Sequence, residues 1–255
     1  MKHQHKRNES DFIYGLHPVQ EAFDSGKEID KLLIQKGVRN DIVQAIIQKA
    51  KASETPFQFV PVEKMNRVTR KNHQGVIAYI SQVEYQQLEQ VLPMVYEKGE
   101  TPLILLLDRI TDVRNIGAIA RSAECTGVHA IVVPAQNSAR IGGDAVKSSA
   151  GALLRVPIVR SFNLKDSIRF LKDSGLQIFA ASEKADKLYD ETDYSGPTAI
   201  IMGSEEDGVS GEYLKLCDAT VQIPMVGEIA SLNVSVAAGV MLFEVLRQRR
   251  KSEAI

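Results

Sequence analysis

The chain has 255 residues, of which 44% are hydrophobic and 25% charged, and its formal net charge is −1. This composition is typical of a globular protein with one large or two modest domains. No apolar run is long enough to cross a bilayer, and residues 1–10 lack the apolar core of a signal peptide. We therefore expect a cytoplasmic protein with no membrane partner. Its two cysteines, Cys125 and Cys217, form no ligand pattern, so we expect neither a disulfide framework nor a metal site.

The first third of the chain forms a small domain preceded by a tail. Residues 1–10 are polar and predicted to be disordered. Within residues 11–82, helices are predicted from about Pro18 and over 41–53, and strands over 31–35, 57–60 and 75–80. This alternation indicates a small α/β domain. Residues 83–101 are polar, with an amphipathic piece interrupted by Pro93, and they are interpreted as an interdomain linker.

Positive charge is concentrated in this first part. Residues 1–82 contain 13 Lys and Arg against 9 Asp and Glu, whereas the remainder contains 18 against 23. A basic segment on an acidic body suits phosphate binding, although chance scatter also produces such an excess. The basic patch before the third strand is predicted to contact RNA, with a solvated loop as the alternative. Its candidate contacts are Arg67, Arg70, Lys71 and His73.

Residues 102–250 form a second α/β series. The strands are predicted at 103–108, 130–134, 156–159, 177–182, 198–203 and 221–224. The helices are predicted at 115–127, after Asn163, near 211–217 and after Asn233. Alternating strands and helices predict a parallel sheet with helices on both faces. The Gly-, Ala- and Ser-rich segment 138–152 indicates either a close backbone approach or a loop leading to a helix, and Lys147 within it is a further candidate RNA contact.

The glycines argue against the commonest nucleotide-binding sheets. No strand is followed by G-x-G-x-x-G, and no G-x-x-x-x-G-K-[ST] occurs, which disfavours a Rossmann oxidoreductase. Glycines cluster instead at 203, 208, 211 and 227, near the ends of the last strands. Asn233 is a suitable N-cap for the final helix, so the loop before it leads to backbone N–H groups that favour negative or electron-rich ligands.

Three stretches together indicate a family. They read N-I-G-A-I-A-R from Asn115 to Arg121, M-G-S-E-E-D-G from Met202 to Gly208, and I-P-M-V-G-E-I-A-S-L-N from Ile223 to Asn233. In order and spacing they resemble the motifs of the SpoU (TrmH-type) branch of the SPOUT RNA 2′-O-ribose methyltransferases. The first domain resembles the RNA-binding domain of the RlmB-like members.

This resemblance implies several properties that the pattern alone does not. The sheet would end in a C-terminal trefoil knot, and the protein would act as a homodimer with the active site near the subunit interface. The cofactor would be S-adenosyl-L-methionine (AdoMet). Its binding residues, carried over by position, are Gly203, Ile223 and Leu232, with their neighbours Met202, Pro224, Met225 and Gly227.

The same resemblance assigns the chemistry. Arg121 matches the central catalytic residue, and the other catalytic candidates are Asn115, Glu205, Ser231 and Asn233. A guanidinium is costly to deprotonate, so we favour a role for Arg121 in holding phosphate or ribose and stabilising alkoxide charge over a role as free base. Glu205 is expected to pair with Arg121 or Asn115. Asn115, Ser231 and Asn233 orient the site, cap helices, or do both.

Two positions depart from the family pattern. Val113 stands where the first motif usually has proline, and Glu206 stands where the second often has glycine, which adds negative charge near the cofactor loop.

The leading hypothesis is methylation of a ribose 2′-hydroxyl in a large-subunit (23S) rRNA guanosine. A tRNA target and a non-catalytic RNA-binding or ribosome-assembly factor on the same fold are the alternatives. The complete catalytic set favours the enzyme, since a binding module does not need all of these residues together.

Overall fold

The computed structural model describes residues 12–185, 187–229 and 231–252. They group in two compact units. One is formed by residues up to Glu84 with Arg140–Gly143, and the other by Tyr85–Ala139 with the residues from Asp144 onward. The tail predicted over residues 1–10 lies outside the described residues.

The first unit is a four-stranded sheet with helices on both faces. Its elements are β1 (Phe12–Tyr14), α1 (Leu16–Asp24), β2 (Ile29–Gln35), α2 (Asp41–Ala52), β3 (Phe57–Val60), α3 (Val62–Asn66) and β4 (Val76–Ile80). The strand order is β1-β4-β2-β3, with β2 and β3 parallel and the other pairs antiparallel. Apolar residues of α1 and α2 pack on one face, and Met65 of α3 packs on the other. The short β1 and α3 were not predicted, because so few residues show no clear periodicity.

The second unit is built on an eight-stranded sheet. Its strands are β5 (Tyr85–Gln86), β6 (Leu103–Leu107), β7 (Ala130–Pro134), β8 (Ile158–Ser161), β9 (Gln177–Ala181), β10 (Lys187–Leu188), β11 (Thr198–Met202) and β12 (Ala219–Gln222). Their order is β10-β12-β9-β11-β6-β7-β8-β5, and neighbouring strands are parallel. The central strands β6 and β11 are buried along their whole length, which requires a covering layer on each face. The parallel α/β sheet and the small α/β domain before it are thus confirmed.

Two layers of helices belong to this sheet. The helices are α4 (Leu88–Glu97), α5 (Val113–Cys125), α6 (Gly143–Ser148), α7 (Leu164–Asp173), α8 (Gly211–Leu214) and α9 (Val234–Ser252). Short 3₁₀ turns lie at Ala152–Leu154 and Tyr189–Glu191. Apolar residues of α4, α7 and α8 pack in one core on the sheet, while α5 and α9 pack against each other in the opposite layer. Among the described residues, no helix is long and apolar enough to span a bilayer.

The predicted linker over 83–101 is wrong for most of its length. Its residues form β5, which pairs with β8, and α4, which runs through Pro93. The buried face of α4, formed by Leu88, Val91, Leu92 and Val95, offsets the hydrogen bond that proline cannot donate. Because Pro93 itself is exposed, its ring does not disturb the core. The boundary between the units therefore falls at Glu84.

The small residues of α5 and α6 serve close packing. A Cβ on Gly117 would lie 1.9 Å from the Ser148 hydroxyl oxygen, so only glycine fits there. The hydroxyl of Ser148 in turn donates to the Val113 carbonyl oxygen at 3.4 Å. This confirms the close approach expected of the Gly-, Ala- and Ser-rich segment, and it fixes the start of α5 against α6.

Candidate active site

The loop after β11, residues 203–210, is folded tightly back on itself. A Cβ on Gly203 would lie 2.0 Å from the carbonyl carbon of Gly208, a contact that no side chain tolerates. The backbone N–H groups of Ser204 and Gly208 each donate to the other residue's carbonyl oxygen, at 3.2 and 2.9 Å. Gly208 has φ +68°, which glycine adopts without strain. The sequence thus forms a compact loop with Glu205 near its tip.

Two motif asparagines meet Glu205. The Asn115 side-chain amide donates to Glu205 Oε1 at 3.0 Å, and the Asn233 amide donates to the same oxygen and to Asn115 Oδ1, the latter at 3.1 Å. The first, second and third motifs, far apart in sequence, therefore converge in one hydrogen-bonded cluster. We call Asn115, Glu205 and Asn233 the amide–carboxylate triad.

Of the two asparagines predicted to orient the site, cap a helix or do both, only Asn233 caps a helix. Helix α5 begins at Val113, and its cap is Asp112, whose carboxylate accepts the backbone N–H of Arg114 at 2.6 Å. Asn115 thus lies inside the first turn and does not cap the helix. Asn233 has both roles, since its Oδ1 also accepts the Ser235 backbone N–H at 3.0 Å at the start of α9.

Arg121 stands apart from the triad. It is exposed, and within the described residues its side chain forms no hydrogen bond or ion pair. Six residues separate it from Asn115, so at about 100° per residue the two side chains leave α5 in directions about 120° apart. Of the two expected partners, Glu205 bonds Asn115 and not Arg121. Ser231 is also exposed, and it lines the neighbouring cavity.

A cavity of about 200 Å³ opens at the carboxyl ends of the strands, where parallel sheets bind ligands. Five of the predicted cofactor residues line it, namely Met202, Gly203, Ile223, Met225 and Leu232. Pro224 and Gly227 are not among its lining residues, so their part in cofactor binding stays a prediction. Residues 181–184, from the last residue of β9 onward, line it too and were missed, although their place at a strand end would have suggested them.

The cavity rim is acidic. Its ionisable residues are Glu183, Lys184, Glu205, Glu206 and Asp207, so carboxylates outnumber the single lysine. Such a rim attracts a positively charged ligand.

Asp108 and Arg109, directly after β6, were also missed. Asp108 is 1% exposed, and its carboxylate accepts the Nε and Nη2 groups of Arg109 at 2.9 and 3.1 Å. The hydrogen bond that Arg109 donates to Asp108, together with the Asp108 charge, raises the pKa of Arg109 against the opposing effect of burial. The sequence signal that could have identified Asp108 and Arg109 is the pair of charged side chains at the end of a buried strand.

The basic patch of the first unit is partly structural. Arg67, Arg70 and Lys71 are exposed, as RNA contacts must be. His73 is buried, and both ring nitrogens are occupied: Nδ1 accepts the Gly75 backbone N–H at 3.0 Å and Nε2 lies 3.2 Å from Asn66 Oδ1. The predicted RNA contact of His73 is therefore wrong, because the imidazole shapes the His-Gln-Gly turn.

Further cations of this unit were not predicted. The Arg140 guanidinium lies 3.8 Å from the centre of the Tyr79 ring, and Lys31 pairs in register with Tyr79 on the next strand. Burial lowers the pKa of Lys31, and the positive charges of Lys64 and Arg140 lower it further. Like charges held together in this way favour an anionic ligand.

Lys147 of α6, in the second unit, is exposed. No group of three or more His, Cys, Asp or Glu side chains among the described residues is arranged to hold a metal ion.

Comparison with known proteins places these sites in context. Residues 102–243 match the model of the SpoU rRNA methylase family, and residues 12–86 match the model for RNA 2′-O ribose methyltransferase substrate binding. A Staphylococcus aureus protein (strain MSSA476), assigned by name to the TrmH family of tRNA/rRNA methyltransferases, is 36% identical over 241 residues, which cover 94% of this chain and 97% of the relative.

Solved structures agree. The SpoU methyltransferase AviRb from Streptomyces viridochromogenes, in complex with the cofactor AdoMet, is 26% identical with a TM-score of 0.60, covering 97% of this chain and 94% of that one. An AdoMet-bound rRNA methyltransferase from Sinorhizobium meliloti is 28% identical with a TM-score of 0.60, covering 93% and 87%.

Proposed function

Because this chain belongs to the SpoU rRNA methylase family and is an AdoMet-dependent RNA methyltransferase, we propose that its acceptor is a ribose 2′-hydroxyl, on a guanosine of large-subunit (23S) rRNA. The observation that carries the proposal is the amide–carboxylate triad beside the cavity. Three polar side chains from three separate segments of the chain meet where Glu205 lines the ligand cavity. The match of residues 12–86 to a 2′-O-ribose substrate-binding model supports the choice of acceptor.

The cavity suits AdoMet. Bound there, AdoMet supplies a methyl group on a positively charged sulfur. Met202, Ile223 and Leu232 offer apolar surface for a flat base, and Gly203 lets the 203–210 loop close on itself at the cavity wall. The carboxylates of Glu183 and Glu205 favour a cation at the rim.

The chain's own groups would align and activate the ribose. Arg121 is proposed to bind the target phosphate or ribose and to stabilise negative charge on the 2′-oxygen as its proton is lost. The triad fixes Glu205 and the start of α9, and with Ser231 it shapes the acceptor side of the cavity. The Arg121 guanidinium forms no bond to another described residue, so it is available for that contact without breaking an existing one.

The separation of Arg121 from the triad supports a homodimer in which the site is completed between two copies. Helix α9 exposes Val236 and Phe243, and the preceding segment exposes Val226 and Ile229, at 51, 52, 101 and 79%. Val236 and Phe243 lie seven residues apart on α9 and so share one face, and an exposed apolar helix face of this kind marks an interaction site. A trefoil knot formed by the C-terminal segment is part of the same proposal.

The RNA would be held through phosphates by exposed cations. In the first unit these are Arg67, Arg70 and Lys71, joined by Lys64 and Arg140, with the half-buried Lys31 close to the last two. In the second unit Lys147 is a candidate. A cytoplasmic location accords with such a substrate.

The decisive experiment is mass-spectrometric mapping of ribose methylation in rRNA and tRNA from cells with and without this protein. Loss of one 2′-O-methylguanosine from 23S rRNA is the expected result. Loss confined to tRNA would keep the chemistry and change the target, an outcome that the tRNA/rRNA name of the relative makes worth testing. Loss of a base methyl group, with every ribose methyl retained, would overturn the proposed acceptor.

A further inference from the structure

The loop that carries Glu205 is fastened to the sheet from the end of β6. The buried Asp108 carboxylate accepts the Ser210 backbone N–H at 2.8 Å, which holds the end of the loop. The same carboxylate orients Arg109 through both of its oxygens. Asp108 itself is fixed, since its backbone N–H donates to the Met202 carbonyl oxygen at 2.8 Å.

Arg109 extends this attachment to the middle of the loop. Its Nη2 donates to the Gly208 carbonyl oxygen at 3.1 Å, and its Nη1 donates to Asp207 Oδ2 at 3.0 Å. The same carbonyl oxygen accepts the Ser204 N–H. The Arg109 guanidinium therefore contacts the point where the two ends of the loop are bonded to each other. The Asp207 side chain is 69% exposed, so its ion pair with Arg109 is screened by water. The hydrogen bond to Gly208 therefore contributes more to holding the loop.

The backbone conformation of Arg109 is strained, as is common for residues that a protein needs in one fixed position. Arg109 has φ +57°, a left-handed conformation that costs a non-glycine residue free energy and persists only where its surroundings impose it. The mutual contacts of Ser204 and Gly208 shape the loop internally, but they do not attach it to the sheet. The attachment comes from Asp108 at the end of the loop and from Arg109 at its middle.

We propose that Arg109 is a positioning residue, which sets the 203–210 loop and thereby places Glu205 against Asn115 and Asn233. The inference rests on the proposed role of Glu205 in methyl transfer. Arg109 does not contact substrate in this assignment; it acts through the loop. A lysine at this position would keep a positive charge beside Asp108, but it cannot bind the carboxylate and the Gly208 carbonyl in one fixed fork.

The test compares Arg109→Lys with wild type in single-turnover methyl transfer, using labelled AdoMet and total RNA from cells lacking this protein. The rate is expected to fall about 10- to 100-fold, the effect of a misplaced catalytic group. Arg169→Lys is the matched control, because Arg169 forms an exposed ion pair with Asp166 and should leave the rate unchanged. Retention of the wild-type rate by Arg109→Lys would overturn the proposal.

A double-mutant cycle separates positioning from general destabilisation. If Arg109 acts through Glu205, Arg109→Lys should cost less than about threefold when Glu205→Gln is already present. Equal losses in both backgrounds would show that Arg109 acts elsewhere and would refute the inference.

A binding measurement keeps this test independent of the role given to Glu205. Should Glu205→Gln alone turn over like wild type, the proposed role of Glu205 fails. The dissociation constant for AdoMet, measured by calorimetry, then decides on Arg109. An increase of about tenfold in Arg109→Lys supports loop positioning, and an unchanged constant refutes it.

Discussion

The candidate site has two parts, which differ in how many of their polar groups are hydrogen-bonded within the described chain. The 203–210 loop is hydrogen-bonded to Asn115 and Asn233 through Glu205, and to the end of β6 through Gly208 and Ser210. The other part comprises Arg121 and the 223–232 segment. Residues 223–229 make no backbone–backbone hydrogen bond to any other residue that the structure describes, and Val226 and Ile229 are exposed. The first part is thus preorganised by the chain, whereas the second has groups left for RNA, cofactor or a second copy.

Replacing Arg121 should have the largest effect if this division is correct. Arg121→Ala is expected to lower the transfer rate about 10²- to 10³-fold, the cost of losing a group that stabilises developing charge. The AdoMet dissociation constant, measured by calorimetry, should stay nearly unchanged, because Arg121 does not line the cavity. Arg169→Ala serves as the control. A variant that keeps substantial turnover would remove Arg121 from the catalytic set.

The apolar surface provides the next test. In the proposed homodimer, Phe243→Asp puts a charge on the exposed apolar face of α9 and should weaken self-association about 30-fold or more, as expected for an interface hot spot. Light scattering across a dilution series measures this. Met94→Asp alters an equally exposed apolar residue, on α4, and should not change the mass. If both variants stay dimeric, the surface on α9 is not the interface.

A pair of glycines compares the two parts directly. Gly203→Ala forces a Cβ into the Gly208 backbone and should weaken AdoMet binding about tenfold, with a loss of stability of about 1–3 kcal/mol from overpacking. Gly227→Ala meets no atom within 4 Å, so affinity and stability should stay close to wild type. Calorimetric titration and thermal unfolding of both variants test the contrast. Equal losses would mean that the 223–232 segment is as tightly constrained as the first loop.

The smallest expected effect concerns single phosphate contacts. Arg70→Gln removes an exposed cation that is not bonded within the described chain. The plot of the logarithm of the RNA-binding constant against the logarithm of salt concentration should become less steep by about 0.7–0.9 for one lost contact. Binding of rRNA fragments at several salt concentrations measures it. His73→Gln should instead lower stability through its lost internal bonds. A slope unaffected by Arg70→Gln would exclude that residue from the RNA surface.

The pairing of Glu205 with Asn115 was expected from the family resemblance and not from a local pattern, since the two residues lie 90 positions apart in sequence. Sequence patterns did predict the parallel sheet, because strand periodicity is a local property. They failed where the outcome depends on distant contacts. A basic patch does not reveal that His73 is buried with both nitrogens occupied. Polar composition concealed the apolar face of α4. Arg109 was missed because its partner Asp207 is 98 residues away in sequence.

The strand order of the second unit has a consequence for how the chain folds. Central strand β6 pairs with β11, so Leu103 comes to lie beside Thr198, which is far from it in sequence. Pairing over such a separation is slow, because a long loop must close before its contacts form. During synthesis, the five apolar residues of β6 remain without their central partner until β11 has emerged. The first unit closes its sheet within residues 12–80 and should fold earlier, which makes the second unit the one that depends on protection from aggregation.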